Sequence, residues 1–179
     1  MGLGAHRWNR PARSLWAVSG TSLLLLAVAG PPARVSAQSA PQKKLGAALD
    51  RVFGPGTRAD SLALDGVIVL RMFRGDELLG YAQVRNVKGK DQPITYLVAT
   101  DTALRLRDID ILVYREAYGG EVAYEPWRRQ FRGKSPADSL VVDRQIRGIS
   151  GATISVNAVT AGVRAALASF ARWRQDGRL

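Results

Sequence analysis

Hydrophobic positions along the chain follow two periods. From Ser155 onward, Val156, Val159, Val163, Leu167 and Phe170 recur at steps of three and four. That spacing puts them on one face of a long helix. Leu45, Leu49, Val52 and Phe53 have the same spacing, and Gly54-Pro55-Gly56 ends that shorter helix. Between the two the pattern is that of strands. Val67–Phe73 is apolar on both faces and β-branched in its first half, as a buried strand is. Arg74-Gly75-Asp76-Glu77 turns the chain, and Leu78–Val87 returns as the second arm of a hairpin. Lys88-Gly89-Lys90-Asp91 turns again into a third strand, Ile94–Ala99. Asp108–Tyr114 alternates Ile109, Ile111 and Val113 with Asp108 and Asp110, which predicts a half-exposed fourth strand. Gln38–Lys44 reads as a polar leader and Thr57–Asp65 as a linker with no assigned element. Glu125-Pro126 opens a short helix that sets Trp127 and Phe131 on one face. Leu140-Val141-Val142 could add one more strand. Strands joined by short turns favour antiparallel pairing. The expected class is therefore α+β, an antiparallel sheet flanked by an N-terminal helix and a long C-terminal helix.

The first residues carry an address. Arg7, Arg10 and Arg13 precede the apolar run Leu15–Gly30, and Val35-Ser36-Ala37 fits a small-residue cleavage site. This is the layout of a secretory signal peptide cut after Ala37. An uncleaved membrane anchor is the alternative, but the apolar run is short for a span of about 20 residues. The expected organisation is a signal peptide at 1–37, leader, helix and linker at 38–66, and one domain at 67–179. The expected destination is the periplasm or the outer face of the cytoplasmic membrane.

Composition narrows the chemistry. There is no cysteine, so thiol-held iron–sulfur clusters and c-type haem are excluded. The single histidine, His6, falls in the expected signal peptide, which leaves no His-based metal site or catalytic triad for the mature chain. No catalytic residue and no metal ligand is assigned. Loss of Arg7, Arg10, Arg13 and Arg34 takes the 26 basic residues to 22 against 15 acidic ones, a net charge of +7. Such a surface suits acidic redox partners or anionic lipid, or is simply a solvated arginine-rich face. Nucleic acid is not expected of an exported chain without a basic-aromatic binding motif.

Ser150-Gly151-Ala152-Thr153 stands directly before the long helix. A helix start offers unpaired N–H groups and the positive end of a dipole, which together seat a phosphate. Ser150 can cap, Gly151 permits close approach of a ligand, Ala152 adds no bulk, and Thr153 puts a hydroxyl beside the phosphate. The same four residues also describe an ordinary capped helix.

Ile149–Ser155 resembles the flavinylation motif of the FMN-binding domain family. That family includes the C subunit of sodium-translocating NADH:quinone oxidoreductase and the G subunit of the related Rnf electron-transport complex. The resemblance implies that Thr153 carries FMN through a phosphoester bond installed by a flavin transferase. Tyr114–Val122 is similar to the family's Glu-Thr-Pro-Gly segment beside the flavin ring, with Glu116 and Gly119 corresponding. Ala117 and Tyr118 stand where Thr and Pro are usual; Tyr118 could stack on the ring, and Gly120 continues the loop. Trp127-x-x-Gln130-Phe131-x-Gly133-Lys134 looks like the family's next segment and adds Gln130 to the cofactor residues. Arg147 replaces the Asp that the family commonly carries three residues before the Ser. Asp143 lies nearby at a different spacing, and Arg144 and Arg147 could pair with the phosphate. In order and spacing the resemblance runs from about Val67 to Phe170.

With the signal-like N-terminus, this resemblance implies an exported flavoprotein that relays electrons between membrane-bound or exported redox proteins and turns over no substrate of its own. Two alternatives stay open. One is a non-covalent or cofactor-free scaffold module of a membrane redox complex. The other is an FMN-dependent reductase of a small acceptor, although the chain has no Gly-x-Gly-x-x-Gly nicotinamide fingerprint.

Overall fold

The computed structural model describes residues 39–179, so the expected signal peptide and its expected cleavage after Ala37 lie outside the described residues. Helix α1 (Ser39–Phe53) is followed by five strands, β1 (Arg58–Leu64), β2 (Val67–Arg74), β3 (Glu77–Lys88), β4 (Pro93–Asp101) and β5 (Leu106–Val113). They pair antiparallel in chain order, each with its sequence neighbour. Short connections give this meander without a crossover. A short helix α2 (Glu125–Arg128) lies between two 3-10 turns, Gly120–Ala123 and Arg129–Phe131. Helix α3 (Thr153–Gln175) closes the chain. The α+β architecture expected from the sequence is the one observed.

Each face of the sheet has its own core. Val69, Tyr81, Tyr96, Val98, Ile109 and Ile111 point to the α3 side, where Val156, Val159, Val163, Leu167, Phe170 and Trp173 meet them. The three- and four-residue spacing of α3 thus becomes a buried stripe. On the opposite face Met72, Ala82, Leu97, Ala99 and Leu112 pack under Ala48 and Phe53 of α1. Helix α3 lies close against the sheet at Gly162, where a Cβ would collide with the Tyr96 hydroxyl and the Val87 side chain. The C-terminal end of α3 is tied to the β1–β2 turn. Asp65 accepts from the Trp173 indole N–H at 2.7 Å and pairs with Arg172 and Arg178.

Several expectations need correction. The stretch read as a linker contains β1, an edge strand whose inward residues are Leu62 and Leu64. Residues 39–44, read as leader, belong to α1. Leu140–Val142 is no strand; it makes one parallel bridge, Val142 to Ile146, and Leu140 and Asp143 turn with φ of 47° and 64°. Strand β5 is not half-exposed. Asp108 and Asp110 are buried, 4% and 8% exposed, on the face beneath α1. Arg128 reaches both carboxylates, at 3.4 and 3.5 Å, while Arg132 joins Asp108 and Arg51 joins Asp110. Buried carboxylates persist because such partners are present.

The outer edge of β5 is covered as well. Leu106 exchanges backbone hydrogen bonds with Gly133 and Lys134, both at 2.7 Å, and the Arg128 guanidinium donates to the Ile109 carbonyl at 2.6 Å. This removes an open edge and fixes the segment from Gly120 to Lys134 against the sheet.

Candidate functional site

Leaving β5, the chain forms the loop 114–120 and meets the first turn of α3. One phenol joins them. The Tyr114 hydroxyl donates to the Tyr118 carbonyl and lies 2.9 Å from the Ser155 hydroxyl. Gly119 sits between, at φ +87°, and a Cβ there would come within 2.7 Å of the Tyr114 oxygen and 2.9 Å of the Ser155 oxygen. Only a glycine lets the loop lie this close. Below it is Ala152, 3% exposed, its Cα 3.5 Å from that same virtual Cβ.

Ala152 is the residue preceding α3, and no side chain caps the helix. The expectation that Ser150 caps is therefore corrected: Ser150 lies exposed, two residues too early. Val156 makes the first 2.9 Å helical bond, to the Ala152 carbonyl, so the amides of Thr153, Ile154 and Ser155 precede the helical ladder. Thr153 is exposed at the first helical position, whereas Ser155 is buried. Gly151 turns at φ +81° with open space around it.

Glu116 has a defined partner. Its Oε1 accepts the backbone N–H groups of Asp91 at 2.9 Å and Gln92 at 3.0 Å, in the β3–β4 turn. Those amides, Gln92 foremost, hold its carboxyl below the usual range. Gly89 leaves room for this carboxylate. Gln130 likewise serves the backbone: its amide oxygen accepts the Arg147 N–H at 2.8 Å, while the Trp127 indole donates to the Arg147 carbonyl at 3.0 Å. The Trp127–Gln130 face thus clamps the strand of chain three residues ahead of Ser150. Asp143 accepts the Gly148 N–H at 3.3 Å and steadies the same loop.

Three depressions meet at the motif. One, of about 620 Å3, is bounded by Asp143, Arg147, Ser150, Thr153 and Asn157. A second, of about 320 Å3, lies between Lys90, Ala117 and Tyr118 on one side and Thr153, Ile154 and Ser155 on the other. The third, of about 270 Å3, runs along Tyr118, Gly119, Gly120, Tyr124, Ser150 and Gly151. Among the described residues, three of the four exposed large apolar side chains, Tyr118, Tyr124 and Ile154, stand here at 84%, 65% and 52% exposure. Monomer surfaces rarely gather such residues without a ligand or partner.

Residues 89–168 match the family model of the FMN-binding domain. The match runs from the β3–β4 turn into α3 and contains every residue described in this site. It identifies a flavin-binding module with FMN as its cofactor. No curated protein matches the chain significantly. The site fits the cofactor in its donor set: exposed hydroxyl, free helix amides and Arg147 for a phosphate, and an apolar, tyrosine-flanked cleft beside them for a flat ring. Of the expected cofactor residues, Ser150, Gly151, Ala152, Thr153, Glu116, Tyr118, Gly119 and Gly120 are brought together; Gln130 instead holds the Arg147 backbone. Tyr114 and Lys90 also border the site without belonging to any motif. Their only signal was position beside a glycine-rich loop and a turn.

Proposed function

We propose that the protein is an exported electron carrier in which FMN is esterified through its phosphate to the Thr153 hydroxyl. The observation carrying this reading is the placement of Thr153, an exposed hydroxyl at the uncapped start of α3 inside the matched FMN-binding domain. Attachment forms the bond from Thr153 Oγ1 to phosphorus, breaks the bond from phosphorus to the leaving group of an activated FMN donor, and releases the hydroxyl proton. A flavin transferase supplies that donor. The three leading amides of α3 and Arg147 offset phosphate charge. Tyr118 and Ile154 offer apolar cover to the ring. When bound, FMN supplies electron transfer at its ring, and the protein supplies position and electrostatics. The signal-like leader and net positive charge support membrane-bound or exported redox proteins as partners.

Arg147 favours a second reading, in which the same helix start and guanidinium hold FMN phosphate without a covalent bond. Intact mass of mature protein coexpressed with a flavin transferase separates the two. The expected result is cleavage after Ala37 plus one flavin nucleotide, with Thr153→Ala folded but lacking covalent colour. Covalent flavin retained in Thr153→Ala refutes the assignment.

A further inference from the structure

The hydroxyl chain beneath the loop has a direction. A carbonyl oxygen only accepts, so the single proton of the Tyr114 phenol is committed to Tyr118. Ser155 must then donate its own single proton to the phenol oxygen. What remains on Ser155 Oγ is lone pairs, on a residue 5% exposed that lines the cleft facing Ala117, Tyr118 and Ile154. We propose that Ser155, oriented by Tyr114, is an acceptor-only contact that admits the hydroxyl- or N–H-bearing part of FMN to this cleft and turns its phosphate away from it.

A phosphate carries acceptors and negative charge, so it is repelled by an oxygen with no proton to give. The ribityl hydroxyls and ring N–H groups carry donors. They can satisfy Ser155, while the phosphate is left to the Thr153 amides and the Arg147 side. The Tyr114–Ser155 pair thus sets which end of the cofactor lies on which side of Thr153. The same chain engages the Ser155 proton, which leaves the exposed Thr153 hydroxyl as the freer nucleophile. The inference rests on FMN lying at Thr153 but not on the covalent bond.

The test uses Thr153→Ala mature protein titrated with FMN and with riboflavin, which has no phosphate. Adding Ser155→Ala should weaken both ligands by the same factor, about 5-fold for one hydrogen bond. Tyr114→Phe should weaken both in like manner, and Ser155→Thr, which keeps the oxygen, should restore binding. Circular dichroism confirms that each variant is folded. A loss confined to FMN places the phosphate at Ser155 and overturns the inference, as does unchanged affinity for both ligands, or no rescue by Ser155→Thr. If Thr153 proves unmodified in the parent while these affinities shift as stated, the covalent assignment fails and the orienting role stands.

Discussion

Gly119 and Gly120 are adjacent and read alike in sequence, yet the structure sets them far apart in tolerance. At Gly119 a methyl group meets the Tyr114 oxygen at 2.7 Å and the Ser155 oxygen at 2.9 Å, with the backbone at φ +87°. An L-residue in that region costs about 1–2 kcal/mol. If the phenol swings aside, the Ser155 hydroxyl and the Tyr118 carbonyl lose their partner, at about 1 kcal/mol each or more when buried. Gly119→Ala should therefore destabilise by about 3 kcal/mol and lower Tm by about 10 °C at this chain length. At Gly120 the added Cβ meets only Tyr114 ring carbons at 3.7 and 3.8 Å, an ordinary contact. Gly120→Ala should stay within about 1 kcal/mol of the parent, on the stabilising side through lost unfolded-state entropy. Urea unfolding of both variants, with m unchanged, gives the comparison. Equal midpoints for the two, or a loss below about 0.5 kcal/mol for Gly119→Ala, refute the packing argument.

The buried charge cluster and the acid limb give further tests. Arg128→Met removes a guanidinium that touches Asp108, Asp110 and the carbonyls of Ile109 and Ala123. Because Arg132 and Arg51 remain, the loss should fall near the low end for a broken buried pair, about 3 kcal/mol by chemical denaturation; a loss under about 1 kcal/mol counts against it. Asp65 is held down from 3.8 to about 2, first by the Trp173 indole and then by Arg178. A depressed folded pKa stabilises above the unfolded value and is lost as pH falls through the folded one. Stability should decline between about pH 4 and pH 2, and Asp65→Asn should flatten that limb of a Tm–pH profile. Parallel profiles for Asp65→Asn and parent would show that the turn carries no such linkage.

What the sequence made legible is what depends on near neighbours. The stripe on α3 and the β2–β3 and β3–β4 turns follow from residues within a few positions of each other. Strand β1 did not show because Arg58–Leu64 brings only Leu62 and Leu64 to the core and leaves Ala, Ser and Asp to an exposed edge. The burial of Asp108 and Asp110 did not show because alternation reports side-chain chemistry and not what lies above it. Their cover comes from α1 and from Arg128, brought in by a segment some twenty residues later. Leu140–Val142 misled for the opposite reason. Its apolar run is real, and Leu140 is buried, but the Gln145 side chain takes the Leu140 N–H at 2.6 Å and closes the segment into a loop.

The site divides along the same line. Ser150 to Thr153 is contiguous, so its chemistry could be read directly. Glu116 and Gln130 could be placed near the site by order alone, but their partners are the amides of Asp91, Gln92 and Arg147, 17 to 25 residues away. Both therefore bind backbone that shapes the cleft: Glu116 draws the β3–β4 turn against the loop, and Gln130 fixes the approach to the motif. This explains how Ala117 and Tyr118 can depart from the usual Thr and Pro without loss of the loop's position. Glu116 at one end and the Tyr114–Ser155 contact at the other hold it by bonds that involve neither side chain. Residues 117 and 118 are then free to set the surface presented to ligand and partner, and that surface is the most exposed aromatic position in the described chain.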